Sequence, residues 1–338
     1  MTGPSASFKL ARALVYASVL GSSLTATPAW VQSMHALELV QTIPLPDVHG
    51  RIDHLDIDLD GERLFVAALG NDSVEVIDLR AGRRSARLEE LQEPQGVAYV
   101  SETKRLFVAN GRSGRVDVFS GSGLRAASHV GGLEDADNVR YDRGRGQIYV
   151  GYGAAVAVID AATSKLVHRI MLAGHPESFQ LEGATPRMFV NVPNAGNIAV
   201  VDRSNRSSLA AWSVGDAKAN FPMALDEPDH RLFVGTRRPA ALLVYDTETG
   251  RQVANLPIGG DADDLFYDAE RKRIYAICGE GVVDVVQQRD GDHYQTVDQV
   301  TTSPGARTGL FAASRNALYI ALPAREASPA AVRVYAVR

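Results

Sequence analysis

RLFVAALGNDSVEVID, residues 63–78, decides the fold, because the chain returns to this phrase six more times. The returns are RLFVANGRSGRVDVF (105–119), QIYVGYGAAVAVID (147–160), RMFVNVPNAGNIAVVD (187–202), RLFVGTRRPAALLVYD (231–246), RIYAICGEGVVDVV (273–286) and ALYIALPAREASPAAVRVYAV (317–337). Their aromatic anchors, Phe65, Phe107, Tyr149, Phe189, Phe233, Tyr275 and Tyr319, lie 40 to 44 residues apart. Helical solenoids can share such a period, but their apolar residues recur every 3.6 positions. Here the apolar runs are short, rich in Val, Ile, Phe and Tyr, and bounded by Gly, Asn, Asp and Pro, which is the pattern of strands.

Working outward from residue 63, each unit holds four strands. In the first unit they are HLDIDL (54–59), RLFVAA (63–68), SVEVIDL (73–79) and a weaker SARLEEL (85–91). Four antiparallel strands per period make a propeller blade, so the expected fold is all-β, a single seven-bladed β-propeller of four-stranded antiparallel blades. The seventh unit ends after its third strand. The missing fourth is expected at the front, where LELVQTIPL (37–45) alternates suitably to complete the last blade and close the ring. The propeller should therefore occupy residues 37–338, with no linker or second domain inside it.

Residues 1–29 read differently. Lys9 and Arg12 precede a small and apolar stretch, Ala13 to Ala26, followed by Pro28 and Ala29. This is a signal-peptide pattern, and cleavage is expected within residues 26–36, giving a periplasmic or secreted protein. The apolar stretch falls short of a comfortable span, and no later segment approaches one, so no membrane span is expected after cleavage. Losing residues 1–29 removes two bases and no acid, which moves the formal charge from −5 to −7. An acidic surface disfavours nucleic acid. The single cysteine, Cys278, cannot form an internal disulfide and reads as a small core residue. A monomer is expected.

Phe107, Val108, Ala109 and Asn110, followed by a turn and a strand ending in Val118 and Phe119, resemble the signature tetrapeptide of the YVTN-repeat (YncE-like) propellers, a group of exported bacterial proteins. The resemblance spans about residues 38–338. It implies the propeller fold, while relatives of this architecture include lactone hydrolases, lyases, dehydrogenase subunits, haem-binding domains and noncatalytic binding proteins. No Cys-X-X-Cys-His run is present, which excludes c-type haem attachment. Serine-hydrolase elbows, phosphate loops and EF-hand loops are also missing, so no nucleotide cofactor is expected.

Acids divide into two groups on this strand order. Asp58, Asp60, Asp142, Glu182, Asp226 and Asp268 end inner strands, and Asp78, Asp160, Asp202 and Asp246 end third strands, where an Asx turn explains them. The segments entering the inner strands instead point to the mouth of the central channel. They supply Asp53, Glu93, Asp135, Asp137, Glu177, Asp261, Asp263 and Asp264, against Arg51, Lys218 and Arg307 as cations. So many carboxylates around one opening repel unless protonated, hydrated or bridged by a cation. A divalent cation held by Asp53, His54, Asp137, Asn138, Glu177 and Asp263 is one expectation. Oxygen ligands would suit Ca²⁺ or Mg²⁺, and histidine would shift the choice toward Mn²⁺, Zn²⁺ or Fe²⁺.

Two classes of function follow. In the first, a metal-dependent hydrolase of lactones or esters, or a lyase, uses Asp53, His54 and Glu177 in catalysis. A small-molecule ligand is then held by Arg51, Arg112, Tyr152, His175, Asn220, Arg237 and Arg307. In the second, a noncatalytic binding module presents the loop face to a protein, peptide, glycan or single-stranded nucleic acid, with Tyr152, Phe221 and Pro239 foremost. The leader is directly testable. Intact mass of the exported protein should place the new N-terminus within residues 26–36, and retention of residues 1–25 would remove the signal peptide from the account.

Overall fold

The computed structural model describes residues 1–5, 7, 35–326 and 328–338. The leader stretch Ala13 to Ala26 lies outside the described residues. Residues 35–338 form one compact unit, separate from residues 1–34. Seven four-stranded antiparallel sheets follow in order along this unit. Blade 1 comprises residues 55–88, blade 2 94–131, blade 3 139–171, blade 4 179–213, blade 5 218–257 and blade 6 262–301. Blade 7 takes three strands from residues 309–337 and its outermost from Leu37–Leu45. The closing strand falls on the expected residues, with Leu37 opposite Val337 and Leu45 opposite Ala330. No helix among the described residues is long and apolar enough to cross a membrane.

A blade alone has two apolar faces and no core of its own. Its neighbours supply one. Buried side chains form seven clusters, and each of the seven aromatic anchors belongs to a different one. Phe65 packs with Val97 and Leu106 of blade 2, Phe107 with Val139 and Val150 of blade 3, and so on round to Tyr319, which packs with Leu55 and Leu64 of blade 1. The 40-residue period thus records seven equivalent interfaces, and the anchor is the ring that fills each one. Several reach the inner strand of the next blade as aromatic pairs. Phe65 with Tyr99, Phe233 with Tyr267 and Tyr275 with Phe311 all lie 5.3 Å apart at their centroids.

A polar staple accompanies the apolar one. Two residues before the anchor stands an arginine in five blades, and each donates to a carbonyl just after the next blade's third strand. Arg63, Arg105, Arg187, Arg231 and Arg273 reach the carbonyls of Ser122, Ala161, Thr247, Gly291 and Arg338, at 2.5 to 3.2 Å. Blade 3 has Gln147 at that position, and there the bridge runs backwards. Arg203 of blade 4 pairs with Asp142, donates to the carbonyl of Thr185 at 2.9 Å, and lies over the Tyr149 ring. Most of the turn acids behave as expected, whereas Glu182 accepts from the Arg187 guanidinium and not from a backbone N–H of its turn. Asp58, Asp142, Asp160, Asp202, Asp246 and Asp268 accept backbone N–H bonds two or three residues ahead.

Closure should dominate stability. Ile43 and Leu45 are fully buried, whereas Val40 is about half exposed on the same strand. Ile43→Ala or Leu45→Ala should each cost about 2–5 kcal/mol in chemical denaturation. Val40→Ala should cost no more than about 0.5 kcal/mol. Equal losses at the three positions would show that the strand does not seal the ring.

Candidate site at the channel mouth

The position twelve residues before each anchor forms a ring of seven side chains: Asp53, Gln95, Asp137, Glu177, Phe221, Asp263 and Arg307. Their backbones are equivalent. The amide N–H groups of Asp53, Asp137 and Glu177 donate to Ala67, Gly151 and Asn191 of their own second strands. In blades 2, 5 and 6 the inner strand carries a register shift at this point, spanning Gln95, Phe221 and Asp263. A bulge re-aims a side chain without moving the strand, and all three residues line the mouth. The next residue in each blade forms a second ring that includes His54, Gly96, Asn138, Asp264 and Thr308. Gly96 is needed there, since a Cβ would collide with the carbonyl of Asp137.

The rings border two cavities. The outer one, about 300 Å³, is lined by Arg51, Arg237, Arg307, Asp137, Glu177 and Asp263, with Gln95, Asp135, His175 and Phe221. The inner one, about 390 Å³, runs along the inner strands past His54, Asp56, Arg140 and Asp264.

Charge is distributed unevenly around the mouth. On blades 5, 6, 7 and 1 the acids are met by arginines. Arg51 donates to Asp53 at 2.8 Å, Arg237 to Asp263 at 2.6 Å, and Arg307 pairs with Asp261 at 2.9 Å and Asp263 at 3.2 Å. The Arg237 guanidinium also lies 4.1 Å from the centre of the Phe221 ring. On blades 3 and 4, Asp137 and Glu177 have no cationic partner among the described residues. Burial, reinforced by the charge of Asp53, pushes Asp137 up to about 7. Burial and the charges of Asp137 and Asp263 push Glu177 up to about 8. Asp263 rises only to about 6, because Arg237 offsets part of its burial.

His54 sits between the cavities, with Nδ1 3.3 Å from Asp264 and Nε2 3.9 Å from Asp53. Burial alone would lower its pKa, but those two aspartates outweigh it and raise it to about 10. The two aspartates thus favour the imidazolium form of this side chain.

The structure brings together only part of the expected site. Asp53, Asp137, Glu177, Asp263, Arg51, His175, Arg237 and Arg307 gather at the mouth, whereas Arg112 and Tyr152 line a separate surface hollow. Arg112 is held there by Asp72 and Glu93. Asn220 is fully buried and spends its amide on Asn191 and the carbonyl of Asn197. Asn138 is buried beside Asp137, with its amide oxygen unpartnered. No group of three or more His, Cys, Asp or Glu side chains among the described residues is disposed to hold a metal ion. Of the six residues expected to bind one, Asp53 and Asp263 are paired with arginines, Asp137 and Glu177 are not, His54 lies beside Asp264, and Asn138 is buried. Cys278 is a buried core residue, as expected. Gln95 and Arg140 escaped the sequence reading, although Gln95 could have been found by counting back twelve from Phe107.

No family model matches the chain, and no curated protein does. Solved structures do. A chain of Kuenenia stuttgartiensis hydrazine synthase superposes with a TM-score of 0.75 at 16% identity, covering 92% of this chain and 100% of that one. The RRP9 WD40 repeats superpose with a TM-score of 0.77 at 13% identity, covering 90% and 99%. A chain of a mitotic checkpoint complex gives a TM-score of 0.75 at 13% identity, covering 96% and 99%. At these identities the likeness establishes the seven-bladed propeller and nothing finer.

The sign of the pH dependence follows from Glu177. Its folded pKa, about 8, lies above the ordinary 4.5, so between those values the folded state keeps a proton that the unfolded chain releases. Stability is therefore lost as pH rises through that window. Glu177→Gln should raise the melting temperature relative to wild type, and the gain should grow from pH 5 to pH 9. A gain independent of pH would refute the assignment.

Proposed function

We propose that this chain is an exported, noncatalytic binding propeller of the YVTN-repeat kind that presents its channel-mouth face to a peptide or protein. The observation that carries this is the mouth itself. From blade 5 round to blade 1 its arginines and aspartates are already matched, His54 lies between Asp264 and Asp53, and an aromatic ring capped by Arg237 stands at the rim of an open cavity. Such a surface offers shape, hydrogen bonds and an aromatic anchor, as recognition sites do. Propellers among its structural neighbours are described as WD40 repeats and as part of a mitotic checkpoint complex, a use of the fold in keeping with this reading. The Phe107 to Asn110 tetrapeptide and the leader support export and YVTN kinship.

One observation favours the hydrolase or lyase reading. Asp137 and Glu177 have pKa values raised into the neutral range inside a cleft, where a general acid or base would need them. A divalent cation, with Ca²⁺, Mg²⁺, Mn²⁺ or Zn²⁺ as candidates, would belong to that reading.

A displayed peptide library panned on the full chain separates the two. Binders should be enriched, and Phe221→Ala or Arg237→Ala should weaken them at least tenfold, while a panel of esters and lactones is not turned over. Turnover that disappears in Glu177→Gln, without peptide binding, would replace the binding module with the enzyme.

A further inference from the structure

The outer cavity is dipolar, and its two arcs ask for different things. From blade 5 round to blade 1, each acid is already held by an arginine. On blades 3 and 4 the balance is broken. Asp137 is 8% exposed, lines the cavity, and has a carboxylate oxygen with no hydrogen-bond partner. Glu177, from the neighbouring blade, lines the same cavity with no ion-pair partner among the described residues. Next to Asp137 in the chain, Asn138 buries another unpartnered oxygen. All three groups can supply acceptors, and an acceptor left without a donor in a buried place is costly.

The missing group must therefore bring N–H donors and positive charge. The local arginines are committed to Asp53, Asp261 and Asp263. A bare divalent cation would need its oxygens drawn in to about 2.0–2.6 Å. No three acidic or histidine side chains among the described residues are so disposed. An ammonium accepts a wider spacing, because each of its three N–H bonds reaches an oxygen at about 2.8 Å.

We propose that the arc formed by Asp137 and Glu177 is a receptor for a primary ammonium group, carried by a small amine or by the N-terminus of a peptide. This deepens the binding-module reading and rests on it, since the same cavity serves both.

The test is calorimetric titration of the full chain with n-butylammonium, with 1-butanol and tetramethylammonium as controls of equal bulk and of charge without N–H donors. A lysine-free tetrapeptide, with free or acetylated N-terminus, distinguishes the source. Butylammonium should bind at least tenfold more tightly than either control. Both Glu177→Gln and Asp137→Asn should weaken it at least tenfold, with melting curves confirming that each variant is folded. The free peptide exceeding its acetylated form tenfold would assign the peptide terminus, and butylammonium binding with neither peptide bound would assign a small amine. The proposal is overturned if butylammonium binds no better than the controls, if the two folded variants bind it as wild type does, or if Ca²⁺ binds one to one and excludes it. Peptides that bind equally with free and acetylated termini would overturn the ammonium receptor alone and leave the binding module standing. Ester turnover without any peptide binding would remove the module itself.

Discussion

The pairing of Leu37–Leu45 with the last blade is the constraint on which the rest of this structure depends. Each blade finds its core only in its neighbours, so every interface is as secure as the ring is complete. An open ring would bare the apolar faces of two blades and the inner edges between them. Closing it by a strand, and not by packing alone, adds a ladder of backbone hydrogen bonds to the one joint where the chain's two ends meet. The arginine staples act in the same direction. Five of the seven interfaces are clamped by a residue two positions before the anchor, and of the two lacking it the one between blades 3 and 4 is clamped from the other side by Arg203. The solution differs, but the carbonyls and turn acids near the interface are satisfied either way.

The same geometry makes the mouth. Since the anchors are fixed between blades, the residues twelve positions earlier are fixed around the channel, whatever their chemistry. That is why an amide, an aromatic ring, an arginine and four acids occupy equivalent places in one circle. The scaffold tolerates this variety because the three bulged blades rotate the side chain while the strand below keeps its register. Chemistry at the mouth is then free to vary blade by blade, and asymmetry costs the fold little. Here that freedom yields a matched arc of arginines and aspartates facing an unmatched arc of two acids.

How much of this was legible in the sequence differs sharply between fold and site. Phe65 and its six counterparts declare the period, and the period plus strand-type runs suffices for blades, count and closure. The acids at the mouth were also visible as a group, and Asp53, Asp137, Glu177 and Asp263 do meet there. Their partners were not visible. Arg237 reaches Asp263 from the end of the second strand of the preceding blade, a contact across 26 residues that no local pattern encodes. Counting charges by segment therefore set eight acids against three cations. In space Glu93 turns outward to Arg112, Asp264 meets His54, and Lys218 is exposed away from the cavity. Of the eight, Asp137 and Glu177 remained without any ion-pair partner among the described residues, and Asp135 has only His175, at 3.7 Å. Arg112 and Tyr152 were misplaced for a related reason, because loop length alone does not say whether a side chain turns toward the axis or the rim.

Closure by the first strand also sets an order of events. Leu37 leaves the ribosome before any other part of the propeller, and its partner Val337 is among the last residues of the propeller to be made. Six blades can fold as they emerge, each from neighbouring strands, but the seventh must wait for both ends. Until then the opening strand keeps its apolar side, with Ile43 and Leu45, unburied. Bringing its ends together spans nearly the whole chain, although the entropy of such a loop grows only slowly with its length. The burden falls less on equilibrium stability than on waiting time, during which an exposed, pairing-competent strand is the part of this protein most open to the wrong partner.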